Sequence, residues 1–217
     1  MVCTGRRCSV LVVDSDVLLV EQQLAEGRLF CPPCGGVLAP WGHGRPRAVR
    51  GGLGAHLFFR PRRTRCSKCL VTHVLLAETM WPRRADTAEV IGAGLEIAAL
   101  GLGHRRIAVQ LDRAESTARG WIRRFALRAE DVRRFFTIAL VAIADDPVMP
   151  EPSGSPVADA VAVVTAAHGA AAGKWPAVNT VSRWAFAGRV IAGRLLACPL
   201  SPNPAAALRR RRHHRKR

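Results

Sequence analysis

The stretch LFCPPCGG, residues 29–36, admits two readings, and the fold turns on which one holds. Cys31-Pro32-Pro33-Cys34 is either a redox dithiol or one half of a metal site. A second pair, Cys66-Ser67-Lys68-Cys69, follows after 31 intervening residues (35–65). Two such knuckles can each grip one side of a tetrahedral Zn2+, with thiolates at about 2.3 Å. The segment between them carries glycines, prolines and short apolar runs such as His56–Phe59, which suits hairpins that bring the pairs together. Gly35 and Gly36 leave room for a tight turn around the metal. A redox pair belongs instead at a helix N-terminus in a βαβ setting, where the thiol pKa falls. No such pattern flanks residues 31–34. The expectation is a structural zinc ribbon over residues 29–80, with Cys31, Cys34, Cys66 and Cys69 binding Zn2+. Such a site is closed, so it folds a small domain rather than catalysing. A segment this short buries little core and needs the staple.

His43 and His73 are spare candidates for the metal, and both read first as ordinary hairpin or packing histidines. Cys3, Cys8 and Cys198 have no matching partners and read as free thiols. Seven cysteines, an odd number, argue against a secreted disulfide framework and for a reducing cytoplasm.

The second informative stretch is HRRIAVQLDRAESTARGWIRRF, residues 104–125. Ile107, Ala108 and Leu111 form an apolar stripe on one short helix, and a turn follows at Asp112-Arg113-Ala114. Ala118, Trp121, Ile122 and Phe125 then recur at helical spacing. The opposite face offers Ser116, Thr117, Arg119, Arg123 and Arg124, with Arg105 and Arg106 on the preceding helix. This is the pattern of a helix-turn-helix whose second helix enters the DNA major groove. Arginine suits bidentate contact with guanine or phosphate. Two features depart from the common form: Asp112 stands where glycine is usual, and Ala118 where a larger aliphatic is usual. The competing reading is a basic αα-hairpin with no DNA role. A helix ending at Gly101-Leu102-Gly103 completes a trihelical core, with Asp86 as its N-cap and Glu89 closing a capping box.

A zinc ribbon followed by this helix pair resembles the DNA-binding front end of insertion-sequence transposases. More closely, it resembles a family of high-GC bacterial proteins that carry both modules without a nuclease. The residues carrying the resemblance are CPPCGG (31–36), RCSKCLVTHVLL (65–76) and GLGHRRIAVQLDRAESTARGWIRRF (101–125). It implies DNA binding and zinc at the four cysteines, and brings no established activity with it.

The rest of the chain divides by composition. Residues 1–28 read as a strand (Ser9–Val13) and a helix capped by Asp14 or Ser15 and closed by Gly27. Residues 86–145 form the helix-turn-helix domain, and 146–156 a proline-rich linker. Residues 157–200 are Ala-rich, with helices near 157–172 and 179–197, the second capped by Asn179. Residues 201–217 form a basic tail whose last nine residues carry seven positive charges and no acid. The fold class expected is α+β, mainly α. Gly92 and Gly94, inside an apolar helical pattern, point to close helix packing.

Net charge is +17, from 33 basic and 16 acidic side chains. Only Lys68, Lys174 and Lys216 are lysines. A GC-rich genome accounts for arginine over lysine, but not for the shortage of acids, which favours a polyanionic partner. No run of apolar residues is long enough for a membrane span, and Asp14 and Asp16 break the pattern of a signal peptide.

Two function classes follow. The first is a DNA-binding protein, a transcriptional regulator or a transposase-derived module, bound to double-stranded DNA in the nucleoid, with a homodimer allowed and no small-molecule substrate. The second is a non-catalytic adaptor that oligomerises through its C-terminal helices. Catalysis is not expected. A nuclease needs three carboxylates around two Mg2+. After the helix pair, the only acids are Glu130, Asp131, Asp145, Asp146, Glu151 and Asp159, at helix ends and in the linker. The stripe through Val181, Trp184, Ala185, Val190 and Leu195 reads as core or dimer surface. Trp41, Trp81 and Trp175 read as packing residues, although an exposed one can stack on a base.

Overall fold

In the computed structural model of the protein, residues 9–196 are described, and they form a mixed α+β fold in which the strands precede most of the helices. Cys3, Cys8, Cys198 and the basic tail lie outside the described residues.

Strand β1 (Ser9–Val13) leads into α1 (Val17–Ala25). The cap of α1 is Asp16, whose Oδ1 accepts from the Leu18 and Leu19 amides at 2.9 and 3.3 Å. Neither Asp14 nor Ser15 fills that role, because the helix starts one or two residues later than the sequence pattern implies. Asp14 receives the Asp16 amide and the Arg189 guanidinium instead. Gly27, at φ +66°, follows the helix in the left-handed conformation that glycine adopts without strain.

Five strands follow: β2 (Leu38–His43), β3 (Arg47–Arg50), β4 (His56–Phe59), β5 (Arg62–Cys66) and β6 (Thr72–Ala77). A four-stranded sheet has the order β1-β6-β5-β2, with β1 parallel to β6 and the other pairs antiparallel. Strands β3 and β4 form a separate hairpin in which Ala48 faces Phe58 and Val49 faces Leu57. Val49 is buried against Leu76 and Met80, so one face of the hairpin packs on the sheet region.

The helices are α2 (Ala88–Ala99), α3 (His104–Leu111), α4 (Glu115–Ala126), α5 (Ala129–Ile143), α6 (Pro156–Lys174) and α7 (Arg183–Val190). The cap of α2 is Thr87, whose Oγ1 accepts from the Val90 amide at 3.4 Å. Asp86 is not the cap: two guanidinium groups hold its carboxylate, and the neighbouring hydroxyl does the capping. The cap of α7 is Ser182 rather than Asn179, because a short 3-10 turn (Pro176–Val178) ends at Asn179 and delays the helix. That helix also ends earlier than expected, with Ala192 and Gly193 both at positive φ.

One apolar cluster joins α2, α4, α5, α6 and α7. Its tightest contact explains the glycines of α2. A Cβ at Gly92 would sit 2.0 Å from the Trp184 ring. Trp184 donates to Glu96 at 2.6 Å and meets Trp81 edge-on, with ring centroids 6.3 Å apart. Trp184 and Leu195 are buried in this cluster, Val181 and Val190 pack against it, and Ala185 is buried as well. The C-terminal stripe is therefore spent on the chain's own core. Residues 144–155 connect α5 to α6, which pack closely together.

Candidate metal centre and the basic helix pair

Each cysteine pair sits in a tight turn shaped by backbone hydrogen bonds. In the first, the Gly35 amide donates to the Cys31 carbonyl at 2.8 Å and the Cys31 amide to the Gly36 carbonyl at 2.8 Å. Gly35 takes φ +71°, and a Cβ on Gly36 would come within 2.8 Å of Cys66 Sγ, so neither position tolerates a side chain. In the second turn, the Leu70 amide donates to the Cys66 carbonyl at 3.1 Å. The Lys68 and Cys69 amides point at Cys66 Sγ from 3.3 and 3.4 Å. The Ser67 amide donates to the Val37 carbonyl at 2.9 Å, locking one turn to the other.

The two turns meet face to face. All four Sγ atoms lie within 4.8 Å of one another. The close contacts run between the turns, with Cys31 to Cys69 at 3.6 Å and Cys34 to Cys66 at 3.4 Å. These separations are far beyond a disulfide bond of about 2.05 Å. They approach the edge of about 3.8 Å that a tetrahedral Zn–S4 site has at a 2.3 Å bond length. Cys31 follows α1 in a loop rather than opening a helix, so the setting of a redox dithiol is missing.

The amide of Cys69, and then that of Lys68, lower the Cys66 thiol from 9.0 to about 6, whereas burial pushes Cys31 up to about 12. Both residues are buried, and what separates them is the pair of amides aimed at Cys66. A divalent ion bound by such thiols deprotonates them. The donor set fits a metal ion and is consistent with zinc; all four sulfurs suit a soft, tetrahedral centre. Bound by all four sulfurs, such an ion would have no open position and would serve to hold the two turns together.

His73, a spare candidate from its place four residues after Cys69, does come against this centre. It is fully buried on β6, with Nε2 3.3 Å from Cys31 Sγ and no partner for Nδ1. Burial holds its pKa below the ordinary histidine value. It lies outside the cysteine quartet but against it. Its register opposite Thr64 on β5 turns it inward beside the cysteine turns. His43 is exposed on β2.

The basic helix pair is built around a left-handed residue. Asp112 takes φ +49°, ψ +59°, and the Arg113 amide returns to the Ala108 carbonyl at 2.9 Å to close α3. Aspartate enters this region more easily than most residues, which lets it stand in for glycine. Ile107, Ala108 and Ala118 are buried between α3 and α4, and Trp121 and Phe125 carry α4 onto the main core. Ser116, Arg119, Arg123 and Arg124 are exposed, as are Arg105 and Arg106, while Thr117 is half-buried. Arg105 pairs with Glu115 at 3.6 Å, and Arg124 donates to the Gly120 carbonyl at 2.9 Å. Arg119 and Arg123 lie together with His104 and Ser155 along a shallow cleft of about 400 Å3 between α4 and the start of α6.

The sequence places Arg113 in the turn between α3 and α4. Its side chain is 5% exposed and donates to Asp86 Oδ1 at 2.7 Å and to the Gly51 carbonyl at 2.6 Å. Arg50, at the end of β3, donates to Asp86 Oδ2 at 2.9 Å. One buried carboxylate thus fastens the hairpin, the start of α2 and the α3–α4 turn to each other.

Among the described residues, no helix is long and apolar enough to cross a membrane. A family model described as a domain of unknown function (DUF6431) matches residues 31–121, from the first ligand cysteine to Trp121 in α4. No curated protein and no solved structure matches the chain, and nothing in these comparisons links it to transposases.

Proposed function

We propose that this is a DNA-binding protein in which a structural zinc ribbon supports a helix-turn-helix formed by α3 and α4. It acts without catalysis, as a transcriptional regulator or as a transposase-derived binding module that lacks a nuclease. The observation that carries this reading is the division of α4. Ala118, Trp121 and Phe125 are buried, while Ser116, Arg119, Arg123 and Arg124 face solvent. A helix held by one face and charged on the other can lie in the major groove of double-stranded DNA. The net charge of +17 supplies attraction toward phosphates. Zinc at Cys31, Cys34, Cys66 and Cys69 holds the ribbon in shape and takes no part in contacting DNA.

The test is duplex binding as a function of salt. If about six phosphates are neutralised, affinity falls about a thousandfold between about 50 and 200 mM salt. An Arg119→Ala/Arg123→Ala/Arg124→Ala variant should lose sites recovered by crosslinking and lower the salt slope by about three, roughly one per arginine. Affinity that ignores salt, or an unchanged set of sites in the variant, would overturn the proposal.

A further inference from the structure

We infer that the ribbon module carries a second nucleic-acid site, a stacking platform for an unpaired strand built from Phe58, Trp41 and the arginines beside them. This site is separate from α4 and does not depend on the duplex-binding reading.

Charge is the first support. Residues 27–77 contain nine arginines and lysines and not one aspartate or glutamate. Only three of the nine find a carboxylate, always from outside the stretch: Arg28 with Glu26, Arg50 with Asp86 and Arg62 with Glu21. Arg45, Arg47, Arg60, Arg63, Arg65 and Lys68 have no carboxylate partner among the described residues. A folded stretch that keeps six such cations, with no acid between Glu26 and Glu78, is complementary to a polyanion.

Exposed rings are the second support. The inner face of the β3–β4 hairpin is used, since Val49 and Phe59 pack with Leu76 and Met80. Its outer face holds Phe58, 81% exposed, whose cross-strand neighbour is only Ala48. An alanine opposite cannot cover a phenyl ring. Trp41, on β2, is 50% exposed, with the Arg65 guanidinium 4.6 Å from its ring centroid. The Gly44 amide donates to the Pro61 carbonyl at 2.7 Å, which continues the β2–β5 pairing, and Arg60 Nε donates to the Gly44 carbonyl at 3.3 Å, so the chain leaving β4 runs past the end of β2. Aromatic faces within a cationic surface are what unpaired bases stack upon.

The same geometry selects an unpaired strand over a duplex. A duplex buries its base faces in the stack and shows only edges in its grooves. A ring standing on the side of a hairpin cannot reach a base face there. An unpaired strand offers one with every nucleotide.

The test measures binding of the full chain to fluorescent oligo(dT), to oligo(rU) and to a duplex at low salt. Phe58→Ala should weaken oligo(dT) binding about tenfold, and Trp41→Ala by a similar factor, because each removes one stacked base. Phe58 is exposed, so its replacement leaves the fold intact. Tryptophan fluorescence should fall on adding oligo(dT), and the fall should vanish in Trp41→Phe. Binding to either oligonucleotide supports the site, and the ratio of the two affinities identifies the sugar it prefers. The Arg119→Ala/Arg123→Ala/Arg124→Ala variant should keep oligo(dT) binding while losing duplex, so failure of one site is distinguishable from failure of the other. Equal oligo(dT) affinity in wild type and Phe58→Ala/Trp41→Ala would overturn the inference. So would binding to phosphatidylserine vesicles with none to either oligonucleotide.

Discussion

Asp86 is 2% exposed and holds two arginines of different standing. Arg113 is itself buried, whereas the Arg50 side chain is 39% exposed. Removing the carboxylate strands a buried guanidinium, which costs about 3–5 kcal/mol. Removing Arg50 loses only a partly solvated pair, about 1 kcal/mol or less. Urea denaturation should therefore rank Asp86→Ala far below Arg50→Ala in stability, and equal losses would show that Arg113 is not held by this pair. Gly92 makes a second case. In an open helix, Gly→Ala gains about 1 kcal/mol. At Gly92 the added methyl would meet Trp184 at 2.0 Å. Overpacking costs about 1–3 kcal/mol, which outweighs the propensity gain, so Gly92→Ala should lower the unfolding midpoint. The same change at Gly169, where a Cβ would meet nothing within 4 Å, should raise it.

The elements differ in what holds them. The helical cluster is formed by α2 and α4 to α7, with Trp81 its only buried member from before α2 among the described residues. The cysteine turns have a small core of Leu24, Leu38 and two of the cysteines themselves. Chelation, or Cys66→Ser, should therefore release one metal ion per chain and lose strand structure, while the helical circular dichroism persists. Collapse of the helical signal with the metal would contradict this division. These same differences decided what could be read in advance. Cysteine spacing, the apolar stripes of α3 and α4 and the left-handed Asp112 are local patterns that chain geometry enforces, and they are visible in sequence. The role of Asp86 was not, because its partners lie 27 and 36 residues away and a one-residue shift of the cap to Thr87 hid it. The parallel pairing of β1 with β6 and the approach of His73 to Cys31 are equally long-range. No periodicity encodes a partner so far along the chain.

At the scale of the whole molecule, the Asp86 junction joins the two regions proposed to meet nucleic acid. Arg113 carries the α3–α4 turn, Arg50 and the Gly51 carbonyl belong to the hairpin, and all three converge within hydrogen-bond distance of one another's partners. Neither surface of Asp86 reaches solvent, so it makes no phosphate contact of its own. Its replacement separates two effects with opposite signs. Asp86→Asn removes one negative charge, and electrostatics alone would tighten duplex binding slightly. If the junction fixes the orientation of α4 against the ribbon, the weaker amide pairing loosens that orientation and binding weakens instead. The salt slope should stay at the wild-type value, because the number of phosphates neutralised does not change. A titration of Asp86→Asn against duplex at several salt concentrations decides between these. Weaker affinity with an unchanged slope means that the buried pair orients the helix, and tighter affinity means that α4 holds its orientation without it.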